Sequence, residues 1–140
     1  MKNNISLNRA VALFTLRWIV GLIFLMAGYG KVFTWGVSNV YKSSFASFQD
    51  TFLPDFILQF TAYYTSYVEL IAGLLLIIGF KRDYALYSLA TVLIIVTYGH
   101  GLQSPIWDVK DVIFRAVPLA TLLLVPGEWD EWQLERVFRK

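Results

Sequence analysis

Four long apolar stretches alternate with shorter polar connections along the chain. They cover residues 9–33, 56–80, 84–101 and 109–125. A helix needs about 20 mainly apolar residues to cross the hydrocarbon core of a bilayer, and the stretches match or approach that length. The fourth stretch is the shortest and most polar, but it ends on the firmly apolar AVPLATLLLV. The pattern predicts an all-α integral membrane protein, with residues 1–140 forming a single four-helix transmembrane domain.

The connections between these stretches differ in kind. The first is long, and its Phe45, Phe48 and Phe52 recur at helical spacing, which predicts a short helix lying at the membrane interface. The KRD motif predicts a tight turn between the second and third helices. The tail GEWDEWQLERVFRK mixes tryptophans with charges and predicts an amphipathic C-terminal helix at the surface.

Composition and charge support a membrane location and suggest an orientation. The chain is 57% hydrophobic and only 16% charged, too few polar residues to cover a soluble domain. A net charge of +2 without a basic patch argues against a nucleic-acid partner, so the expected environment is the lipid bilayer. Because basic residues favour the cytoplasm, we expect a multi-pass inner-membrane protein with both termini cytoplasmic. That side would carry Lys2, Arg9, Lys81, Arg82, Arg136, Arg139 and Lys140.

Three charged residues fall inside the apolar stretches, at similar predicted depths. With about 1.5 Å of rise per residue, Arg17 lies roughly 12 Å, and Glu69 and Arg115 roughly 16 Å, from the predicted cytoplasmic helix ends. We therefore expect Glu69 to face the two arginines in a buried polar site. The surplus positive charge could hold a quinone headgroup, a lipid phosphate or another anion. Alternatively, the charges only fix how the helices pack.

Helical spacing places these charges on stripes that we expect to face the interior of the bundle. Small residues beside the charges would let the helix backbones approach closely. The three stripes are Arg17, Gly21, Phe24, Gly28 and Lys31 on the first helix; Ala62, Ser66, Glu69 and Gly73 on the second; and Asp108, Asp111, Arg115 and Pro118 on the fourth.

A second set of polar residues collects near the predicted outer face: Lys31, His100, Asp108 and Asp111. We interpret this set as an outer polar network or a group of ion pairs. A divalent cation on His100 and the two carboxylates is an alternative, although we expect no metal site. His100 could also donate a proton to a molecule bound near the outer interface. No nucleophile, base and orienting group occur together, so no catalytic residue is assigned.

The first two helices resemble those of the DoxX family of small four-helix membrane proteins. The resemblance rests on RWIVGLIFLMAGYGKV in the first helix, on VELIAGLLLIIGFKR in the second helix and its turn, and on His100 and Arg115. It implies an accessory subunit of a quinone-linked redox system, such as a quinol oxidase or a thiosulfate:quinone oxidoreductase, or a partner of a redox enzyme. Quinone is the cofactor that this resemblance implies, and we expect no covalently bound cofactor.

The chain departs from some similar four-helix proteins because it has no cysteine, and it has a single histidine. It therefore offers neither a thiol–disulfide pair nor two histidines for a haem. We expect no catalytic activity from the isolated chain. The alternative function is a non-redox scaffold subunit of a larger membrane complex, or a carrier of a small anion or a lipid.

Overall fold

The computed structural model describes residues 2–48, 51–104 and 110–135. All regular secondary structure in these residues is helical. The elements, listed in chain order, are α1 at Lys2–Tyr29, α2 at Val37–Val40, α3 at Asp55–Ile78, α4 at Arg82–Gln103 and α5 at Lys110–Leu124. The predicted all-α class is confirmed.

Within the described residues, three helical segments are long and apolar enough to cross a membrane: Ser6–Thr34, Asp55–Ile78 and Arg82–Gln103. The first of these joins α1 to a π-helical turn at Gly30–Thr34. The fourth predicted span appears as α5, whose 15 residues rise roughly 22 Å, less than the hydrocarbon thickness of a bilayer. These helices indicate a membrane protein. That α5 crosses the membrane as a fourth span stays a prediction.

The four long helices pack in a ring in which α1 contacts α3, α3 contacts α4, α4 contacts α5, and α5 returns to α1. The ring encloses an apolar core that includes Val20, Phe24, Leu76, Leu86 and Leu89. Two polar regions border this core, one at each end of the helix bundle. The packing of α1 against α3 sets the position of both regions.

Glycines set the close approach of α1 and α3. A Cβ atom added to Gly28 would stand 2.3 Å from the backbone nitrogen of Leu70, and one added to Gly73 would stand 2.5 Å from that of Leu25. Neither distance is sterically possible, so the two backbones pack directly against each other. The predicted inward stripes are confirmed for eight residues, which are buried: Arg17, Gly21, Phe24 and Gly28 on α1, and Ala62, Ser66, Glu69 and Gly73 on α3.

The inward stripe predicted for the fourth helix is buried only toward the C-terminal end of α5, so the expected burial of Asp111 is corrected. Asp111 is exposed, Arg115 and Pro118 are half-buried, and the buried residues of α5 are Leu119 and Leu122. With about 3.6 residues per turn, Leu122 falls on the same stripe as Asp111, Arg115 and Pro118. Burial on that stripe therefore increases along α5, and Asp111, at its beginning, is exposed. Asp108 lies outside the described residues.

The connection between α3 and α4 is a tight turn, as predicted. Gly79 adopts a left-handed conformation with φ +70°, and the Gly79 and Phe80 amides donate to the carbonyls of Leu76 and Leu75 at 3.2 and 3.0 Å. This is the Schellman arrangement that commonly ends a helix. Lys81 follows, also left-handed, and α4 begins at Arg82.

The first connection contains the predicted short helical segment. It comprises α2, a π-helical turn at Tyr41–Phe45 and a 3-10 turn at Ala46–Phe48. Phe48 is buried, Phe45 is half-buried and Phe52 is exposed. Because α2 and the π-helical turn contact α3, this segment forms one wall of the domain. Its position at a membrane interface stays a prediction.

The tail does not form the predicted helix over most of its described length. After a 3-10 turn at Gly127–Trp129, residues 130–133 have no helical structure. Pro126 and Gly127 end the preceding helical run, and Asp130 is completely buried while Trp129 and Trp132 remain exposed. The tail therefore packs against the ends of the helices through a buried acidic residue, which an amphipathic surface helix would not do.

Candidate functional site

Arg17 lies at the centre of the first polar region, where α1, the end of α3 and the tail meet. Its guanidinium is buried, and Nη1 donates to the carbonyls of Leu76 and Ile77 at 2.7 and 2.6 Å. Nη2 donates to the carbonyl of Trp132 at 2.7 Å, and Nε lies 2.9 Å from Oδ2 of Asp130. The Nε contact is an ion pair whose geometry falls short of a hydrogen bond.

These contacts explain why a buried arginine is tolerated there. The last carbonyls of a helix lack intrahelical donors and carry partial negative charge, so a cation stabilises them. Arg82 does the same for α5, because its buried guanidinium donates to the carbonyls of Leu122 and Val125. Asp130 supplies the carboxylate that balances Arg17. This end of the domain thus holds two arginine-capped helix ends, closed by the tail.

Glu69 belongs to the second polar region and pairs with Lys31. Lys31 Nζ lies 2.7 Å from Glu69 Oε2, and the side chains are 24% and 1% exposed. Lys31 stands in the π-helical turn that extends α1, and Glu69 stands on the inner face of α3. The expected pairing of Glu69 with the two arginines is therefore corrected: Glu69 pairs with Lys31, and Arg17 pairs with Asp130.

The helix register accounts for this correction. Gly28 lies beside Leu70 and Gly21 beside Ile77, so α1 and α3 run antiparallel and Arg17 reaches the end of α3. Leu76 and Ile77 lie roughly 11 Å along α3 from Glu69. The depth estimate assumed that the helices start at one level, whereas α1 begins at Lys2 and extends well past the α3–α4 turn.

Arg115 does not join either polar region through a bond in the described part of the chain. It is half-buried on α5, which packs against α1 and α4. The three charges that were predicted to lie at one depth thus have different neighbours. The geometry does not support a shared buried site that includes Arg115.

The predicted outer cluster is partly assembled. Lys31 and His100 line the same cavity, but the carboxylate that Lys31 contacts is Glu69. Asp111 is exposed on α5, and Asp108 lies outside the described residues. Within the ranges that the structure describes, no group of three or more histidine, aspartate or glutamate side chains is placed to hold a metal ion.

The cavity next to Lys31, which we call the Lys31 cavity, has a volume of about 670 Å³. It lies between the end of α1, the helical segment of the first connection, the first half of α3 and the second half of α4. Its walls are mainly apolar, with Phe48, Leu58 and Ile95 among them. Hydroxyl groups line part of it, on Ser43, Ser44, Ser47, Thr61 and Thr65.

Two ion pairs, Arg17–Asp130 and Lys31–Glu69, were missed from the sequence. Asp130 sits in a tail rich in charges, so nothing local distinguishes it from its exposed neighbours Glu128 and Glu131. The Lys31–Glu69 pair left a usable signal, because each residue lies on a stripe predicted to face inward. If the first two helices had been assumed to run antiparallel, Lys31 rather than Arg17 would have been expected next to Glu69.

The described part of the chain is all-helical and has three helices of membrane-spanning character, with a buried ion pair beside a cavity. These are the features of a small polytopic membrane protein. The DoxX family model matches residues 12–101, more than half of the chain, and the protein therefore belongs to the DoxX family. The matched region includes Lys31, Glu69 and His100 and ends before α5 and the tail. No curated protein and no solved structure matches the chain.

Proposed function

We propose that this DoxX-family protein is an accessory subunit of a quinone-linked redox system in the inner membrane, with both termini cytoplasmic. In this proposal the Lys31 cavity holds the quinone headgroup. The observation that carries it is the ion pair of Lys31 and Glu69, whose lysine faces a largely apolar cavity. A π-helical turn carries Lys31, and such turns recur at functional sites.

The chemistry of the cavity fits a quinone headgroup, which is a flat apolar ring with carbonyl acceptors. Ligand sites typically enclose about 300–1,000 Å³ and combine apolar walls with a few polar groups. An ammonium group has three donors, so Lys31 can bind a ligand carbonyl while it contacts Glu69. Thr61, Thr65 and the serines of the first connection add hydroxyl groups. A bound quinone would supply the redox-active ring, and the protein would bind and orient it.

The balance of charge favours a neutral ligand over an anion. Glu69 neutralises Lys31, and Asp130 neutralises Arg17. The surplus positive charge that suggested an anion or lipid phosphate from the sequence is therefore missing from the Lys31–Glu69 pair beside the cavity. A carrier of small anions would need such a surplus where the anion binds, because desolvating an unpaired anion is costly.

The proposed orientation draws support from how the ends of the helices are grouped. The first half of α1, the α3–α4 turn and the tail lie at one end, where Arg17 contacts both α3 and the tail. The end of α4 and the first connection lie at the other, where the amide nitrogen of Gln103 donates to Ser47. The basic residues of the turn and of the N-terminal region thus share one side, as the positive-inside rule requires for a cytoplasmic end.

Quinone content of the purified protein tests the proposal. The test variant combines Lys31→Met with Glu69→Gln, so that neither member of the pair is left buried and unpaired. Loss of a hydrogen bond from a charged donor, about 1.5–3 kcal/mol, should lower quinone retention by roughly tenfold or more. Protein purified from native membranes in mild detergent would be extracted and its quinone, lipids and bound proteins measured by mass spectrometry.

Lys42→Met is the matched control, because Lys42 lies exposed in the first connection. It should retain quinone like the wild type. Equal quinone content in the double variant and the wild type, with both folded, would contradict the proposal. A phospholipid retained in place of quinone would favour the lipid-carrier alternative, and copurification of proteins without either would favour a scaffold.

A further inference from the structure

We propose that Glu69 determines the ligand charge that the Lys31 cavity accepts, and that it makes the cavity select neutral headgroups over anionic ones. This inference rests on the proposed function, since it assumes that the cavity binds a ligand. It adds a specificity-determining residue that does not itself line the cavity.

The geometry places Glu69 behind Lys31. The lysine side chain is 24% exposed and lines the cavity, whereas the glutamate side chain is 1% exposed and does not line it. A ligand bound to Nζ of Lys31 would therefore have the carboxylate 2.7 Å from the nitrogen that it contacts, without contacting the glutamate through the cavity wall. Glu69 acts on the ligand through its charge rather than by contact.

That charge changes what the ammonium group can attract. Buried charges are poorly screened, so an anion at Lys31 would meet the repulsion of Glu69 a few ångströms beyond the lysine. A neutral carbonyl acceptor carries only a partial charge and loses little from the same carboxylate. The pair therefore keeps a strong hydrogen-bond donor in the cavity while removing its net charge.

Other groups at the cavity do not replace this effect. Among the described residues that line it, the titratable ones besides Lys31 are Tyr98 and His100, both exposed near the end of α4. None of these lining residues is acidic. Within the described part of the chain, Glu69 is thus the carboxylate placed to neutralise Lys31.

The experiment compares two probes of equal chain length, decylubiquinone as the neutral one and decyl phosphate as the anionic one. Their dissociation constants would be measured on the full-length protein in one non-ionic detergent by isothermal titration calorimetry. Wild type should prefer decylubiquinone. Glu69→Gln is nearly isosteric and keeps an oxygen that can accept from Lys31, yet it should shift the ratio toward decyl phosphate by about tenfold or more.

Glu131→Gln is the matched control, because it changes the net charge equally at an exposed site in the tail that does not line the cavity. It should leave the ratio as in wild type. The double variant Lys31→Met with Glu69→Gln should bind decyl phosphate poorly, since no cation remains. If Glu69→Gln fails to fold, Glu69→Asp withdraws the carboxylate from the ammonium group and should produce a smaller shift in the same direction.

The outcomes separate this inference from the proposed function. Binding of decylubiquinone with an unchanged ratio in Glu69→Gln would overturn the role of Glu69 and leave the quinone site standing. A wild type that prefers decyl phosphate would overturn it as well. Binding of neither probe by the wild type would overturn the proposed function, and this inference with it.

Discussion

Asp130→Asn should destabilise the protein by removing the carboxylate that balances Arg17. Both side chains are almost completely buried, with Nε and Oδ2 2.9 Å apart. Removing one partner of a buried ion pair typically costs about 3–5 kcal/mol, because the remaining charge is left uncompensated. Arg17 keeps its hydrogen bonds to three carbonyls, which stabilise the guanidinium. We therefore expect a loss at or somewhat below the lower limit, about 2–3 kcal/mol.

Arg17→Met should cost more than Asp130→Asn. It removes the ion pair together with the bonds that cap α3 and hold Trp132, and it leaves the carboxylate of Asp130 buried without a counter-charge. The double variant should then be much less unstable than the sum of the two single changes, with a coupling energy of about 2 kcal/mol. Such a coupling is expected only for residues that contact each other.

The measurement is the free energy of unfolding in one detergent, from titration with sodium dodecyl sulfate followed by far-ultraviolet circular dichroism. Glu131→Gln is the control, since it makes the same charge change on an exposed neighbour in the tail and should stay within about 0.5 kcal/mol of wild type. The reasoning is refuted if Asp130→Asn is as stable as Glu131→Gln, or if the effects of Arg17→Met and Asp130→Asn are additive.

Two further predictions concern packing and topology. Gly28→Ala should lower the unfolding free energy by about 1–3 kcal/mol, because its Cβ would overlap the backbone of α3. Gly101→Ala is the control and should not destabilise the protein, because a Cβ there meets open space. Equal stabilities of the two variants in the same titration would contradict this prediction. Because the chain has no cysteine, single cysteines at Asn3, Ser38 and Gln103 can report orientation in whole cells. An impermeant thiol reagent should label the Ser38 and Gln103 variants but not the Asn3 variant, and the reverse pattern would show that the assigned orientation is wrong.

The helices and their inner faces were predictable because the information is local. Apolar residues at helical spacing predicted the bounds of α3 and α4 to within two residues, and the small residues of α1 and α3 predicted the faces that pack together. On α5 the predicted stripe also carries the buried Leu122, but its N-terminal part is open, so Asp111 was wrongly expected to be buried.

By itself, the sequence determined that this protein is helical and apolar, that Glu69 and Arg17 face inward, and that any charge there must be balanced. Only the tertiary structure decided which charges balance each other. The direct contact of α1 and α3 at Gly21, Gly28 and Gly73 sets their register, which brings Lys31 rather than Arg17 to Glu69. Arg17 then lies beside the last carbonyls of α3, and the tail folds over it and buries Asp130, which balances the charge of Arg17. Because the two residues lie far apart in the sequence, no local pattern could have indicated this pairing.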